Sequence, residues 1–240
     1  MYDIKALHYG FRRRANKVDS LQNRNFYVEQ IDDYLNEALN LYINEMLKVS
    51  EINRTIEDNL RILIKNNAEL NLVDSVDGKY ILAELPSDYL RQIRNYSEAR
   101  ANCCNTLSTI KHYRIQGDDE SAYMEDPLYK PSYLYRETGY RITGNHIKVL
   151  TGELIINKVY LDYYAKHPKL GNPESARTGA YNLPDGTPAV QQSLLFENPR
   201  QADVIMDIAV LAAHTDMNSD AFKTQLTKLT QTSNITTNII

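Results

Sequence analysis

Tryptophan is absent from this 240-residue chain, phenylalanine occurs four times, and the two cysteines are neighbours at Cys103 and Cys104. Adjacent cysteines do not easily reach disulfide geometry, so no disulfide framework is available and a reducing compartment of synthesis is expected. Long hydrophobic runs are also missing. The longest, such as 208–213, are far shorter than the ~20 residues needed to span a bilayer, and no apolar signal segment opens the chain. The expectation is a soluble protein with no membrane contact. A basic excess is lacking too, since the net charge is −4. This argues against a general nucleic-acid coat, which the phosphate backbone would attract through positive charge.

Catalytic signatures are equally scarce. There is no phosphate-cradling glycine loop, no G-x-S-x-G elbow, no H-E-x-x-H and no regular calcium loop. His8, His112, His146, His167 and His214 stand singly, without ligand spacing, so neither a metal nor a cofactor is expected. Cys104 lacks a local setting that would activate it. The acids Asp118, Asp119, Glu120, Glu125 and Asp126 read as a solvated loop rather than a cation site. The chain therefore reads as a non-enzyme. A hydrolase would need a pocket joining His112 or His146 to a carboxylate and a nucleophile.

What is present is amphipathic pattern, uneven charge and tyrosine. An apolar content of 42% is enough to build a core. Residues 1–24 carry Lys5, Arg12, Arg13, Arg14, Lys17 and Arg24 against Asp3 and Asp19, whereas 118–126 hold acids and no base, a polarity that suits end-to-end contacts. The 18 tyrosines join an apolar ring to a polar tip, which suits surfaces half buried or buried only on assembly; the alternative is simple compositional bias.

Along the chain, Ile4, Leu7, Phe11, Ala15 and Val18 fall on one helical face, with Arg13 opposite and Arg12 and Arg14 flanking. A turn around 19–25 leads to a second helix from Val28, whose stripe reads Ile31, Leu35, Ala38, Tyr42, Met46 and Val49 and continues through Ile52, Ile56, Leu60 and Leu63, as one long helix or as two meeting near Ser50. Asn66 and Asn67 are a plausible helix end. Beyond residue 70 the period shortens. Segments 73–76 and 79–85 flank Asp77 and Gly78, a hairpin signal, and 107–115, 140–143, 147–150 and 154–166 are further strands. The prolines and glycines of 167–192 predict a long loop. Asn198 and Pro199 cap a helix with Val204, Ile205, Ile208, Leu211 and Ala212 on its apolar face. A last helix near Ser219 would carry Phe222, Leu226 and Leu229 ahead of a tail beginning after Thr230.

This pattern predicts an α+β protein. Residues 1–69 form a helical bundle, 70–168 an inserted small antiparallel sheet or sandwich, 169–197 a Pro/Gly loop, and 198–240 a C-terminal helix and extended tail that pack with 1–69. The arginines at 12, 13 and 14 read first as protein contacts, through bidentate bonding to carboxylates. Their alternative is a charged helix end that favours the dipole, and contact with DNA comes behind both.

Taken in order, four segments carry a resemblance. They are Arg12-Arg13-Arg14-Ala15-Asn16-Lys17, Asp33-Tyr34-Leu35-Asn36-Glu37-Ala38, Leu85-Pro86-Ser87-Asp88-Tyr89-Leu90-Arg91 and Tyr163-Tyr164-Ala165-Lys166-His167-Pro168. Together they resemble head-tail adaptor proteins of tailed phages, nearest to the ring or connector proteins of podoviruses, including crAss-like phages. The resemblance implies a structural subunit of a ring, commonly twelvefold, at the head-tail junction of a virion, made in the host cytoplasm. Its partners would be copies of itself, the portal protein and further ring or tail proteins. DNA would pass through the channel without sequence-specific binding. On that reading Arg12, Arg13, Arg14 and Lys17 lie at a subunit interface, and Phe222, Leu226, Leu229 and the tail meet a partner. The other class is a cellular helical interaction module without catalytic activity.

Overall fold

The computed structural model describes residues 2–18, 26–50, 57–74, 78–101, 105–116, 120–126, 129–177 and 179–216. The chain divides into two compact units, one from Met1–Ile62 with His167–Ile240 and the other from Leu63–Lys166.

In the first unit three long helices, α1 (Ile4–Val18), α2 (Val28–Ser50) and α5 (Pro199–Asp216), share a core, with a single helical turn α3 (Glu57–Leu60) following α2. The α1 stripe is buried at Ile4, Leu7, Phe11 and Ala15. At Gly10 an added Cβ would lie 2.5 Å from the Met206 sulfur, so the missing side chain is what lets α1 and α5 approach. Asn198 caps α5 by accepting the Arg200 amide at 3.0 Å, ahead of Pro199, whose missing N–H costs nothing at a first helical position. The buried face of α5 is Ala202, Ile205, Met206, Ala209, Val210, Leu211 and Ala213, whereas Val204 stands 41% exposed. Of the expected face, Ile205 and Leu211 are buried, whereas Val204 faces solvent, and alanines, weak as a hydrophobic signal, fill part of the buried side.

Residues 167–177 and 179–198 form a strap held partly by its own backbone bonds and partly by side chains of α2. Asn36 donates its amide to the Leu170 carbonyl at 2.9 Å and accepts the Leu170 N–H at 2.8 Å. The two arms of the strap pair antiparallel at Gly171 and Gln192. An added Cβ at Gly171 would meet the Val190 carbonyl oxygen at 2.5 Å, so only glycine fits there.

The second unit is built on one eight-stranded sheet. Its strands are β1 (Ile64–Glu69), β2 (Leu72–Asp74), β3 (Tyr80–Glu84), β4 (Tyr89–Ala101), β5 (Ser108–Arg114), β6 (Glu137–Thr143), β7 (His146–Leu150) and β8 (Leu154–Ala165), with a short helix α4 (Glu120–Glu125) between β5 and β6. The order is β1-β8-β4-β5-β6-β7-β3-β2. All neighbours are antiparallel except β5 and β6, which the α4 crossover makes parallel. The two end strands belong to one stretch of chain. Leu70 donates to the Val159 carbonyl of β8, and Asn71 accepts from Glu84 of β3, both at 2.9 Å, so residues 70–71 join the two ends and curl the sheet on itself. Curling removes edges that would otherwise offer unpaired backbone to other chains. Ile110, Ile147, Val149, Val159 and Leu161 are fully buried inside.

This overturns the expected architecture of a helical bundle with a small inserted sheet. The sheet is large and carries its own core. Two strands account for the difference. In β4 the inward positions are Asn95, Ser97, Ala99 and Ala101, so its alternation is one of size and not of hydropathy. In β1, Asn66 and Asn67 do not end a helix; Asn67 sits at φ 54° where the β1–β8 register shifts, a left-handed conformation that asparagine tolerates better than most residues.

Candidate interaction surfaces

The α1 cations take different positions. Arg14 is held by α5, with Nη2 2.6 Å from Asp203 and Nε 3.1 Å from Asp207. Acids four residues apart share one helix face, so a single guanidinium bridges both. Arg12 makes a long contact of 3.4 Å with the Phe26 carbonyl. Arg13 is exposed beside Tyr9, which is 71% exposed, on a groove of about 310 Å³ that also borders Gly10 and Met206. Lys17 lies in α1, but its side chain, like Phe222, Leu226, Leu229 and the tail, falls outside the described residues.

A buried polar hub underlies the strap. Asp32, fully buried, accepts bonds from His8 Nε2 at 2.6 Å, from the Asn172 N–H at 3.0 Å and from the Tyr181 hydroxyl. A carboxylate out of water needs such donors, and here they come from α1 and two points of the strap. The sequence offered no signal for this hub, because its members are spread over more than 170 positions.

In the sheet unit a relay of side chains runs across β6, β4 and β5. Tyr140 donates to Gln92 at 3.0 Å, Gln92 to Asn95 at 2.7 Å, and Asn95 to His112 Nδ1 at 3.0 Å. With Nδ1 accepting, Nε2–H donates to the Ser97 hydroxyl at 3.0 Å. Burial pushes the His112 pKa down to about 3, so the ring stays neutral. This places a histidine beside a hydroxyl, as a hydrolase would require. However, the third member is an amide, Ser97 is fully buried, and both ring nitrogens are occupied within the relay. The relay fastens β4 to β5, and Ser97 itself has no exposed surface.

At one end of the sheet, Asp88 accepts from Lys65 at 2.5 Å and Tyr163 at 2.9 Å. Burial raises its carboxyl, but these bonds outweigh burial and hold it below the usual carboxylate range. Elsewhere the unit shows large side chains to solvent: Leu134 is 80% exposed, Tyr135 61% and Tyr129 60%.

Among the described residues no group of three or more His, Cys, Asp or Glu side chains is placed to hold a metal ion, and no helix is long and apolar enough to cross a membrane. The fold and surfaces together define a two-unit α+β protein with exposed apolar and basic residues on its helical unit and exposed aromatic residues on its sheet unit. No protein family matches the chain, and no curated protein matches its sequence.

Proposed function

We propose that this chain is a structural subunit of a phage head-tail connector ring, docking under a portal and forming part of the DNA exit channel. The observation that carries the proposal is that each unit separately presents large apolar side chains to solvent. Tyr9, Tyr27 and Leu41 stand out from the helical unit, and Leu107, Tyr129, Leu134 and Tyr135 from the sheet unit. Scattered single residues of this kind are ordinary, but Tyr129, Leu134 and Tyr135 fall within seven positions of one another. A cyclic ring needs two different faces on each subunit, since one side of a copy meets the other side of the next. The uneven charge and the order of the four resembling segments support the same reading. The sheet is larger than the small β insertion expected from the sequence.

The test is sedimentation of the purified chain with and without a candidate portal protein. A connector subunit co-sediments with the portal at fixed stoichiometry. A chain that ignores the portal and binds a cellular protein instead fits the interaction-module reading.

A further inference from the structure

We infer that Leu134 and Tyr135 form a rigid anchor that inserts into a groove on the helical unit of a second copy of this chain. The anchor is the tip of a tight turn. Ser132 and Glu137 exchange backbone bonds at 2.9 and 3.2 Å, and the Ser132 hydroxyl accepts the Tyr135 N–H at 3.4 Å. Tyr133 turns back, donating to the Thr106 carbonyl at 2.8 Å and meeting the Ser108 hydroxyl at 3.0 Å. Pro131 is buried against Gly152. The turn closes through Arg136 at φ 57°, a conformation that a residue with a β-carbon rarely adopts, and Arg136 is held there by the bond from the Lys111 N–H to its carbonyl at 2.8 Å. Strain and tethering together fix a turn whose two central large side chains touch little of their own protein. Pre-organisation of this kind lowers the ordering cost of binding, and tyrosine is among the residues that dominate interface energetics.

The occupant follows from charge and apolar surface. Lys130 and Arg136, both exposed, flank the tip in sequence, and Glu137, the acid that follows, accepts from the Tyr113 hydroxyl. A groove of about 460 Å³ on the helical unit is lined by Ile62, 47% exposed, over the buried Phe196, and by the acids Asp58 and Glu197 with one base, Arg61. A basic-flanked apolar tip thus matches an acid-lined apolar groove. Tip and groove are different surfaces, so the contact propagates head to tail between copies. The choice of a second copy as occupant rests on the connector reading.

The experiment uses the full-length chain in sedimentation velocity over a concentration series, with Leu134→Asp as the tip variant and Ile62→Asp as the groove variant. Asp58→Lys serves as a second groove variant, and circular dichroism checks that each is folded. The wild type is expected to associate with rising concentration, and each variant alone to lose at least tenfold in association. An equimolar mixture of tip and groove variants retains one live tip and one live groove, so it should form heterodimers and nothing larger. Association unchanged in either folded variant overturns the inference, as does a mixture that stays monomeric or a wild type that is monomeric at its highest soluble concentration. Pelleting of monomeric wild type with phosphatidylserine vesicles, lost in Leu134→Asp, would assign the tip to a lipid surface and also overturn it. None of these failures removes portal binding, which tests the connector reading separately.

Discussion

Replacing His112 by glutamine tests the relay inside the sheet unit through its pH dependence. The folded ring is neutral down to a pKa of about 3, whereas the unfolded ring titrates at its ordinary value of 6.5. Between these values the unfolded chain binds one proton that the folded chain does not, so folding stability falls as pH decreases, by about 1.4 kcal/mol per pH unit. The loss begins near pH 6.5 and ends near the folded pKa. Over the two units from 6.5 to 4.5 the wild type should lose about 2–3 kcal/mol relative to His112→Gln, which keeps a donor and an acceptor but cannot titrate. Urea unfolding followed by circular dichroism at pH 8, 6.5, 5.5 and 4.5 measures this difference, and carboxylates common to both proteins cancel. The two stabilities should converge or cross as the solution is acidified. A difference constant across the range would mean that the folded ring protonates freely, and the buried relay would be refuted.

Removing the strap hub by Asp32→Ala leaves three buried donors without an acceptor and should cost about 3–5 kcal/mol, seen in calorimetry as a melting temperature lower by roughly 10 °C. Tyr181→Phe removes one of those bonds, and its loss should appear in hydrogen exchange as faster amides confined to 170–183. Gly171→Ala drives a methyl into the Val190 carbonyl and should destabilise by about 1–3 kcal/mol in chemical denaturation, with restoration of the glycine as control. Reversing charge separates two arginines: Arg13→Glu should weaken association more at low salt and leave the melting temperature unchanged, while Arg14→Glu should also lower the melting temperature, because it repels Asp203 and Asp207. An equal melting temperature for both variants would remove the distinction.

Much of the helical unit was legible because its signals are periodic and apolar. Ile4, Leu7, Phe11 and Ala15 on α1, and Ile31, Leu35, Ala38 and Tyr42 on α2, recur at helical spacing and are buried. Strands with apolar alternation, such as β7 and β8, were legible for the same reason. By contrast β4 was not, since Asn95 and Ser97 face inward only because His112 and Gln92 satisfy them, and that pairing exists only in three dimensions. The extent of the sheet followed β4 and β1 out of sight. The turn at 132–137 was hidden differently. Its exposed Leu134 and Tyr135 look like core residues in sequence, and only the fold shows that they are displayed. The basic cluster at 12, 13 and 14 was visible as a run, but which arginine is bound within the chain depends on the acids of α5, almost 190 residues away.

Electron-microscopic class averages of the chain mixed with its candidate portal would show whether copies close into a ring beneath it, as we propose. A rotationally symmetric layer of this chain, stacked on the portal and coaxial with its channel, is the expected image. Portal particles with no added layer, or with copies attached at scattered positions and no common axis, would contradict it.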